Sequence, residues 1–491
     1  MQTNRIINPF NGEVVSESPY MTREEALASL SQADAASREW RRLSLQQRVE
    51  RVRAGISVFE KEKESIARDI TLAVGKPIAQ SVGEMEAAVA KMHELCELAP
   101  DALAPEEHKG EGDITYKVMR VPKGVIDIIA PWNYPVFTAL NGVIPALLAG
   151  NAVTLKEEST PAVGGLYERA FGSFEDTEGN SVDGLLTHLR VDIATSNWLA
   201  TNCDLIKHRV FTGSVRGGRE VSTLLGERAK NTELTSPFIS VSLELGGCDA
   251  AYVHDDADLD AATGFIVSIG RLHNTGQSCC ATKRTFVHSA VLDAFVAQAT
   301  SIMAEQKLGD PLDPDTTIGP LYAGREGCDR LFDMVVDAQS KGARVIVEAR
   351  DVTDAPDLKK KVVKQINQGW FFTPTLLLDT TPEMVVMQEE AFGPLLPIAA
   401  TDGNLDALME NITANKYGLT CSVWTNDPNI SQTFVDRADT GTVFVNWCND
   451  VHTRIVWEGL KNSGNGAGAL SSEGFRVLTN TKSVLTGPDS A

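Results

Sequence analysis

The second quarter of the chain alternates short apolar runs with helical patterns, and this alternation limits the available folds. The predicted strands of this region are 125–129, 152–155, 209–212 and 238–245, with helices after Pro135, from Thr160-Pro161 and after Gly218. Further strands are predicted near 285, 345, 396, 422 and 443. Alternation of this kind implies an α/β fold, in which helices cover both faces of a parallel sheet. Ligands of such a sheet bind at the carboxyl ends of its strands.

The first 121 residues have a different pattern. Thr22-Arg23-Glu24-Glu25 and Ser44-Leu45-Gln46-Gln47 both have the capping-box spacing and each is expected to open a helix. A third helix is predicted over 80–98, a loop over 100–112 and an exposed, alternating strand over 114–121. This front section is therefore expected to be largely helical.

Composition narrows the class of protein. The 491 residues predict two or three domains. A formal net charge of -21 argues against nucleic acid and anionic membrane surfaces as partners. No stretch has the ~18 uninterrupted apolar residues of a membrane span. The eight cysteines include no Cys-x-x-Cys pair, so no metal site is expected, and a cytoplasmic location is predicted.

A small polar turn at 274–281, Asn-Thr-Gly-Gln-Ser-Cys-Cys-Ala, ends in two thiols. A helical pattern precedes it and a strand-like run follows it, so Cys279 and Cys280 lie on a turn and not on an apolar face. Only the thiolate is a good nucleophile, and a free cysteine with a pKa of about 8.5 needs activation near neutral pH. A catalytic thiol is one interpretation, and a pair of buried structural thiols is the other.

Other polar residues fall at predicted strand ends. Glu244 precedes two glycines, which leave room for substrate or water, although a strand-end glutamate can also simply face solvent. Asn133 lies between two prolines, where its amide could donate to an oxyanion or stabilise an ordinary turn. Lys156 ends the next strand, where its ammonium could meet a ribose or a phosphate.

Two further segments could hold a nucleotide. Residues 213–218 lie between a strand and a helix start, where backbone N–H groups bind phosphate, although glycine turns are common. Glu390 and Phe392 precede a turn and could hold a ribose and support a nicotinamide ring, or could be a loop acid and a core aromatic. Each segment is weak evidence alone, but all lie on the functional edge of the predicted sheet.

Taken together, the motifs make the chain resemble the NAD(P)-dependent aldehyde dehydrogenase superfamily from end to end. The matching segments, in order, are Asn8-Pro9 with Gly12-Glu13, 131–135, 211–214, 243–247, 276–279, 309–311, 389–394, 417–419 and 441–446.

The resemblance implies a mechanism and a set of site residues. It implies oxidation of an aldehyde to the carboxylic acid, with Cys279 as nucleophile through a thiohemiacetal and a thioester, Glu244 as general base and Asn133 in the oxyanion hole. It implies that the cofactor contacts Trp132, Lys156, Glu158, Gly213, Ser214, Gly218, Leu245, Glu390 and Phe392.

The sequence departs from the family pattern in four places. Gly142 stands where the family often has lysine, Gly468 where it often has a second acid, and Cys248 where a lysine is common. The segment after Lys156 is one residue short, which leaves the adenosine ribose contact open between Glu158 and Ser159. An acid there would repel the 2′-phosphate of NADP, so NAD is the expected cofactor and NADP the alternative.

The resemblance also implies three parts. They are a Rossmann-type dinucleotide-binding domain (1–112 and 122–245), an α/β catalytic domain (246–445), and a small β oligomerisation arm with the C-terminal tail (113–121 and 446–491). Exposed strands invite pairing between subunits, so a homodimer or homotetramer is expected.

The substrate stays open at this stage. Similarity to semialdehyde dehydrogenases around 274–284 favours acidic aldehydes, such as succinate semialdehyde, with His273, Arg271 or Arg454 as candidate cations. Phe137, Trp447 and Trp457 could equally line an apolar pocket. A thiol hydrolase or acyltransferase without redox chemistry, and a catalytically weak family member with a binding role, are the competing functions.

Overall fold

The structure is a computed structural model that describes residues 2–111 and 114–487. Its helices are α1 (Arg23–Trp40), α2 (Leu45–Val74), α3 (Ile78–Ala102), α4 (Pro135–Leu148), α5 (Pro161–Phe171), α6 (Ile193–Asn202), α7 (Val215–Arg228), α8 (Leu259–Gly264), α9 (Leu292–Ala304), α10 (Gly324–Ser340), α11 (Leu358–Val362), α12 (Leu405–Thr413), α13 (Pro428–Arg437) and α14 (Ser471–Val477).

Its strands are β1 (Thr3–Ile7), β2 (Val14–Pro19), β3 (Glu106–Lys109), β4 (Thr115–Pro122), β5 (Val125–Ile129), β6 (Ala152–Lys156), β7 (Ser173–Glu175), β8 (Ser181–Asp183), β9 (Leu186–His188), β10 (Ile206–Thr212), β11 (Ser240–Glu244), β12 (Asp249–Val253), β13 (Thr282–His288), β14 (Arg344–Val347), β15 (Arg350–Asp351), β16 (Val363–Ile366), β17 (Gly369–Phe372), β18 (Thr375–Leu378), β19 (Leu395–Thr401), β20 (Tyr417–Gly418), β21 (Thr420–Trp424), β22 (Thr442–Val445), β23 (Leu460–Lys461) and β24 (Thr479–Thr486).

A five-stranded parallel sheet organises the first half, in the order β11-β10-β5-β6-β9. Its register aligns the strand ends: Thr212 lies opposite Glu244, and Ile129 lies opposite Lys156. The polar residues that follow the apolar strands therefore gather at one edge of the sheet, as the alternating pattern predicted.

An eight-stranded sheet organises the second half, in the order β15-β14-β18-β19-β13-β12-β21-β22. Its central pairings are parallel, and β14 and β15 add an antiparallel edge. Cys279 lies on the turn that enters β13, near the centre of this sheet.

A third sheet is antiparallel and exposed, with β4 between β24 and β3. β24 and β4 pair over eight residues, from Thr479 opposite Pro122 to Thr486 opposite Thr115. Leu485 on β24 is 65% exposed. These strands include most of the predicted 113–121 arm, whose first residue lies outside the described residues.

The N-terminal section follows its capping signals, but the predicted loop over 100–112 is wrong, and a hairpin before the first helix was not predicted. Both capping boxes are present, with Thr22 and Ser44 each accepting the backbone N–H three residues on. Residues 3–19 form a β-hairpin that the helical interpretation overlooked. The predicted loop 100–112 instead contains the end of α3 and strand β3, because β3 gains backbone partners on β4.

The glycine-rich segment 463–468 is packed against the end of β11. The carbonyl of Ser463 accepts the N–H of Leu245 at 2.8 Å, and Gly464 forms a bridge with Glu244. Downstream, Phe475 and Leu478 join the apolar core that contains α2 and α3.

The division of the chain into a dinucleotide-binding domain, a catalytic domain and an oligomerisation arm stays a prediction. Within the described ranges, every helix is too short or too polar to cross a membrane.

Candidate active site

The turn that carries Cys279 has an unusual backbone. Asn274 and Thr275 have φ values of 53° and 57°, and Gly276 follows at 73°. Left-handed conformations are costly for a β-branched residue and cluster at functional sites. The side chain of Gln80 accepts the N–H of Asn274 at 2.7 Å, and the Thr275 hydroxyl accepts the N–H of Gly319 at 3.0 Å. These contacts from distant segments hold the turn in place.

Arg271 holds this turn against neighbouring segments through hydrogen bonds to backbone carbonyls. Its guanidinium is fully buried and donates to the carbonyls of Thr282 at 3.0 Å and Ala391 at 2.8 Å, and also to those of Gly276 and Gly393. Because its two terminal nitrogens, Nη1 and Nη2, donate to backbone carbonyls, Arg271 is a structural cation and is not free to meet an acidic substrate.

Asn133 and the turn of Cys279 are joined directly. The amide of Asn133 donates to the carbonyl of Gln277 at 3.1 Å, and the amide of Asn274 donates to the carbonyl of Asn133 at 2.9 Å. This pair of bonds fixes the orientation of the Asn133 amide. Its second N–H has no protein acceptor among the described residues, so it is available to an oxyanion.

The two neighbouring thiols have different surroundings. Cys279 is partly exposed, whereas Cys280 is buried and donates its S–H to the side-chain oxygen of Asn449 at 2.9 Å. The hydrogen bond to Cys280, and then burial, raise the pKa of Cys279 well above its usual range, while the Lys283 ammonium opposes the increase. Cys279 is therefore the accessible thiol, and a base or a nearby cation must assist its ionisation.

Glu244 ends β11 inside the protein. One of its carboxyl oxygens is buried without a hydrogen-bond partner. Burial raises the pKa of Glu244 well above the usual carboxyl range, and the nearby Glu458 and Cys280 raise it further. A buried carboxyl with a free oxygen and a raised pKa has the properties of a general base that binds water.

A single cavity of about 740 Å³ brings most of the predicted site residues together. Those that line it are Trp132, Asn133, Gly213, Ser214, Glu244, Leu245, Cys279, Glu390 and Phe392. Lys156, Glu158 and Gly218 do not line it. Lys156 is buried and paired with the carboxylate of Glu158, and Gly218 packs beneath Leu245.

Tyr322 and Lys91 line the cavity and carried no sequence signal, and Lys283 was marked only by the similarity to semialdehyde dehydrogenases around 274–284. Tyr322 stacks on Trp132 with ring centroids 4.2 Å apart. Lys283 is fully buried and lies 3.6 Å from the carboxylate of Glu390. Lys91, from the middle of α3, lines the cavity beside Phe137. Tyr322 and Lys91 differ from ordinary core or surface residues only in the side chains that surround them in the folded protein.

The two departures in the catalytic region are accommodated by local packing. A Cβ atom on Gly142 would lie 2.9 Å from the Ile128 side chain, and a Cβ atom on Gly468 would lie 2.4 Å from the Val456 side chain. Larger side chains at these positions would require their neighbours to move. The site therefore has the strand-end acid Glu244 in the same cavity as Cys279, and a glycine at position 468.

The cavity wall also has features that fit a dinucleotide. Ser214 caps α7 by accepting the N–H of Gly217, and this helix start opens beside Gly213. Free N–H groups and the helix dipole at such a start favour a phosphate group. Trp132 and Phe392, whose rings lie 5.8 Å apart, provide apolar surface for a flat ring. The residues present therefore fit a nicotinamide dinucleotide.

Comparisons with known proteins identify the family. The aldehyde dehydrogenase family model matches residues 1–484. The chain is 32% identical to succinate-semialdehyde dehydrogenase [NADP(+)] 1 of Mycobacterium tuberculosis over 490 residues, covering 97% of this chain and 98% of the relative.

Two solved structures have the same fold along their length. An NADP dependent enzyme of Escherichia coli is 27% identical with a TM-score of 0.87, covering 99% of this chain and 95% of that chain. Lactaldehyde dehydrogenase of Escherichia coli is 27% identical with a TM-score of 0.87, covering 99% and 96%. The predicted resemblance and fold class are thus confirmed, and the chain belongs to the aldehyde dehydrogenase family of NAD(P)-dependent oxidoreductases.

Proposed function

We propose that Cys279, Asn133 and Glu244 carry out the oxidation of an aldehyde to its acid in this cavity. The observation that carries the assignment is their convergence: an accessible thiol, an oriented amide and a carboxyl with a free oxygen line one cavity. A nucleophile, an oxyanion donor and a base are the three protein groups that such a reaction needs.

The protein's part of the reaction has two stages. The Cys279 thiolate forms an S–C bond to the aldehyde carbon, and the Asn133 amide and the Cys279 N–H stabilise the resulting oxyanion. In the second stage Glu244 takes a proton from water, whose oxygen attacks the thioester carbon. The S–C bond then breaks, the acid leaves and the Cys279 thiolate is restored.

The cofactor supplies the oxidant between these stages. A bound oxidised nicotinamide would supply the hydride acceptor by which the carbon attached to Cys279 becomes a thioester. Gly213, Ser214 and the start of α7 would hold the pyrophosphate, and Trp132, Leu245 and Phe392 would lie near the ring. Lys156, Glu158 and Glu390 would hold the riboses, with Gly218 supporting α7 beneath Leu245. We propose that NAD is preferred over NADP because the Glu158 carboxylate lies beside Lys156.

We further propose that the substrate is an aldehyde that carries a carboxylate. The relative from Mycobacterium tuberculosis is named for succinate semialdehyde, and it matches this chain along almost its whole length. The similarity around 274–284 favours the same class of substrate.

The proposal is tested by assaying the purified protein on a panel of acidic and uncharged aldehydes, first with NAD and then with NADP. We expect NADH formation, its loss in Cys279→Ser, and most of it retained in the matched variant Cys280→Ser. Mass spectrometry of Glu244→Gln with aldehyde and NAD should show an acyl group on Cys279. Equal loss in both cysteine variants, or an acyl group on Cys280, would reassign the nucleophile.

The assembly and location are part of the proposal. β24 is an exposed edge strand of its sheet, of a kind that adds a strand from another copy, which supports a homodimer or homotetramer. All eight cysteines have free thiols, which supports a cytoplasmic location. A monomer mass by light scattering at micromolar concentration would refute the assembly.

A further inference from the structure

Lys91 is a cation in the wall of the active-site cavity with no acidic partner of its own. It lies on α3 and lines the cavity together with Phe137, Asn449 and Val451. Asp450 also lines the cavity, but among the described residues no carboxylate forms an ion pair with the Lys91 ammonium, whose direct partner is the carbonyl of Val451. Buried or partly buried charges are normally paired, so this cation is an exception that points to a ligand.

The contacts of the Lys91 ammonium leave most of its bonding capacity unused. It donates to the carbonyl of Val451 and lies 4.7 Å from the centroid of the Phe137 ring. An ammonium has three N–H donors, and no second acceptor for it occurs in residues 2–111 and 114–487. A carboxylate would form a charge-assisted hydrogen bond with the remaining donors.

Lys91 is also electrostatically close to the reacting thiols. Burial lowers its pKa, and the negative forms of Asp450, Cys280 and Glu94 oppose this decrease. Glu94 already accepts the hydroxyl of Thr453, and Asp450 accepts the indole N–H of Trp447 at 3.3 Å. Lys91 and Cys279 line the same cavity, so an aldehyde attached to Cys279 shares this space with the ammonium.

The other cations considered for this purpose are occupied or distant. Arg271 is bonded to backbone carbonyls. His273 accepts or donates at Tyr134, and burial lowers its pKa to about 4, so it is neutral near pH 7. Arg454 is exposed and does not line the cavity. Arg330 lines the cavity but is exposed and paired with Glu326 at 2.6 Å.

We propose that Lys91 is the specificity-determining residue of this enzyme, whose ammonium binds the remote carboxylate of an acidic aldehyde while Cys279 attacks its carbonyl carbon. This inference rests on the proposed function and deepens it. It also predicts selection against a cationic aldehyde, which would bring a second positive charge to Lys91.

The test compares three aldehydes of similar length: succinate semialdehyde, butanal and 4-aminobutanal. The variants are Lys91→Met, which keeps the length of the side chain without its charge, Lys91→Arg, which keeps the charge, and Arg454→Gln as the matched control. We expect Lys91→Met to lose about 10–100-fold in kcat/KM for succinate semialdehyde, the value of one charged hydrogen bond. Its kcat/KM for butanal should change by less than about threefold. Lys91→Arg should recover part of the loss, and Arg454→Gln should match the wild type.

A separate binding measurement distinguishes the two proposals. Calorimetric titration with succinate, without cofactor, should detect binding to the wild type and its loss in Lys91→Met. If all aldehydes are inert while succinate binding still depends on Lys91, the proposed oxidation fails and the carboxylate contact stands. Equal loss on butanal and succinate semialdehyde, or succinate binding that is unchanged in Lys91→Met, overturns the role of Lys91.

Discussion

The buried ammonium of Lys283 donates to the backbone carbonyl of Cys279 at 2.9 Å. It also donates to the carbonyl of Ser278 at 2.7 Å and lies 3.6 Å from the Glu390 carboxylate. One cation thus links the turn of the nucleophile to an acid on the proposed cofactor wall. Its charge opposes the factors that raise the pKa of Cys279.

Replacing Lys283 by methionine should make Cys279 harder to ionise. Without the ammonium, the hydrogen bond to Cys280 and burial act unopposed, so the pKa of Cys279 rises further. Alkylation of Cys279 by iodoacetamide, followed by peptide mass spectrometry across a pH series, should show its midpoint at higher pH than in the wild type. Lys61→Met, an exposed lysine on α2, is the matched control. An unchanged midpoint would show that Lys283 supports only the backbone.

The raised pKa of Glu244 predicts a pH dependence for thioester hydrolysis. The carboxyl can accept a proton from water only after losing its own, and burial moves that loss to higher pH. The hydrolysis rate, measured by single-turnover release of acid, should therefore rise with pH above the usual carboxyl range. In Glu244→Gln the rate of thioester hydrolysis should be strongly reduced, and its pH dependence should no longer show the ionisation of a carboxyl group.

The raised pKa of Glu244 also predicts that its contribution to protein stability decreases as the pH rises. The folded protein keeps the Glu244 proton where the unfolded chain has lost it, so Glu244 contributes less stability as pH rises above the unfolded carboxyl pKa of about 4.3. Glu244→Gln should therefore unfold at a temperature at least as high as the wild type at pH 7. A large decrease in melting temperature would show that Glu244 is bonded and ionised in the folded state.

The parallel sheet and most of the site could be predicted from sequence because both follow local rules. Apolar strand runs end where polar residues begin, and parallel strands place those ends together. Glu244, Asn133 and Cys279 were found in this way, and they line one cavity. The positions of these residues at strand ends did not show their roles, and the resemblance to the family supplied them: nucleophile, general base and oxyanion donor.

The remaining features depend on contacts between distant segments. Asp127 lies inside the apolar strand β5, where its carboxylate accepts a hydrogen bond from Arg209 of the neighbouring strand at 2.7 Å. Lys91 has no local pattern that separates it from a solvated helix lysine. The hairpin of β1 and β2 is short, and a distant segment contacts it: the Asn4 amide donates to the carbonyl of Glu158 at 2.8 Å.

A second buried ion pair supports the start of α4. Lys76 and Glu84 are both almost fully buried and 2.5 Å apart, and the Glu84 carboxylate also accepts the N–H groups of Val136 and Phe137. Lys76→Met would leave a buried carboxylate without its cation, which we expect to lower the free energy of unfolding by about 3–5 kcal/mol. Denaturant titration measures the change. Lys63→Met, which breaks an exposed pair with Glu86, should leave the unfolding midpoint unchanged.

The last prediction concerns the preference of the protein for NAD over NADP. The Glu158 carboxylate is about a third exposed and pairs with Lys156 at the carboxyl end of β6, where the adenosine ribose is expected to lie. Its neighbour Glu157 adds little charge near pH 7, because burial raises the pKa of that carboxyl to about 8. Glu158→Gln should therefore remove the main repulsion of a 2′-phosphate.

We expect kcat/KM with NADP to rise about tenfold relative to NAD in Glu158→Gln, since one tenfold step corresponds to about 1.4 kcal/mol of charge interaction. Steady-state rates with both cofactors and one aldehyde measure this ratio. Glu178→Gln, which removes the same charge from an exposed turn, should leave the ratio unchanged. If Glu158→Gln weakens NAD and NADP equally, Glu158 serves only to orient Lys156, and the preference for NAD must come from another group in the cleft.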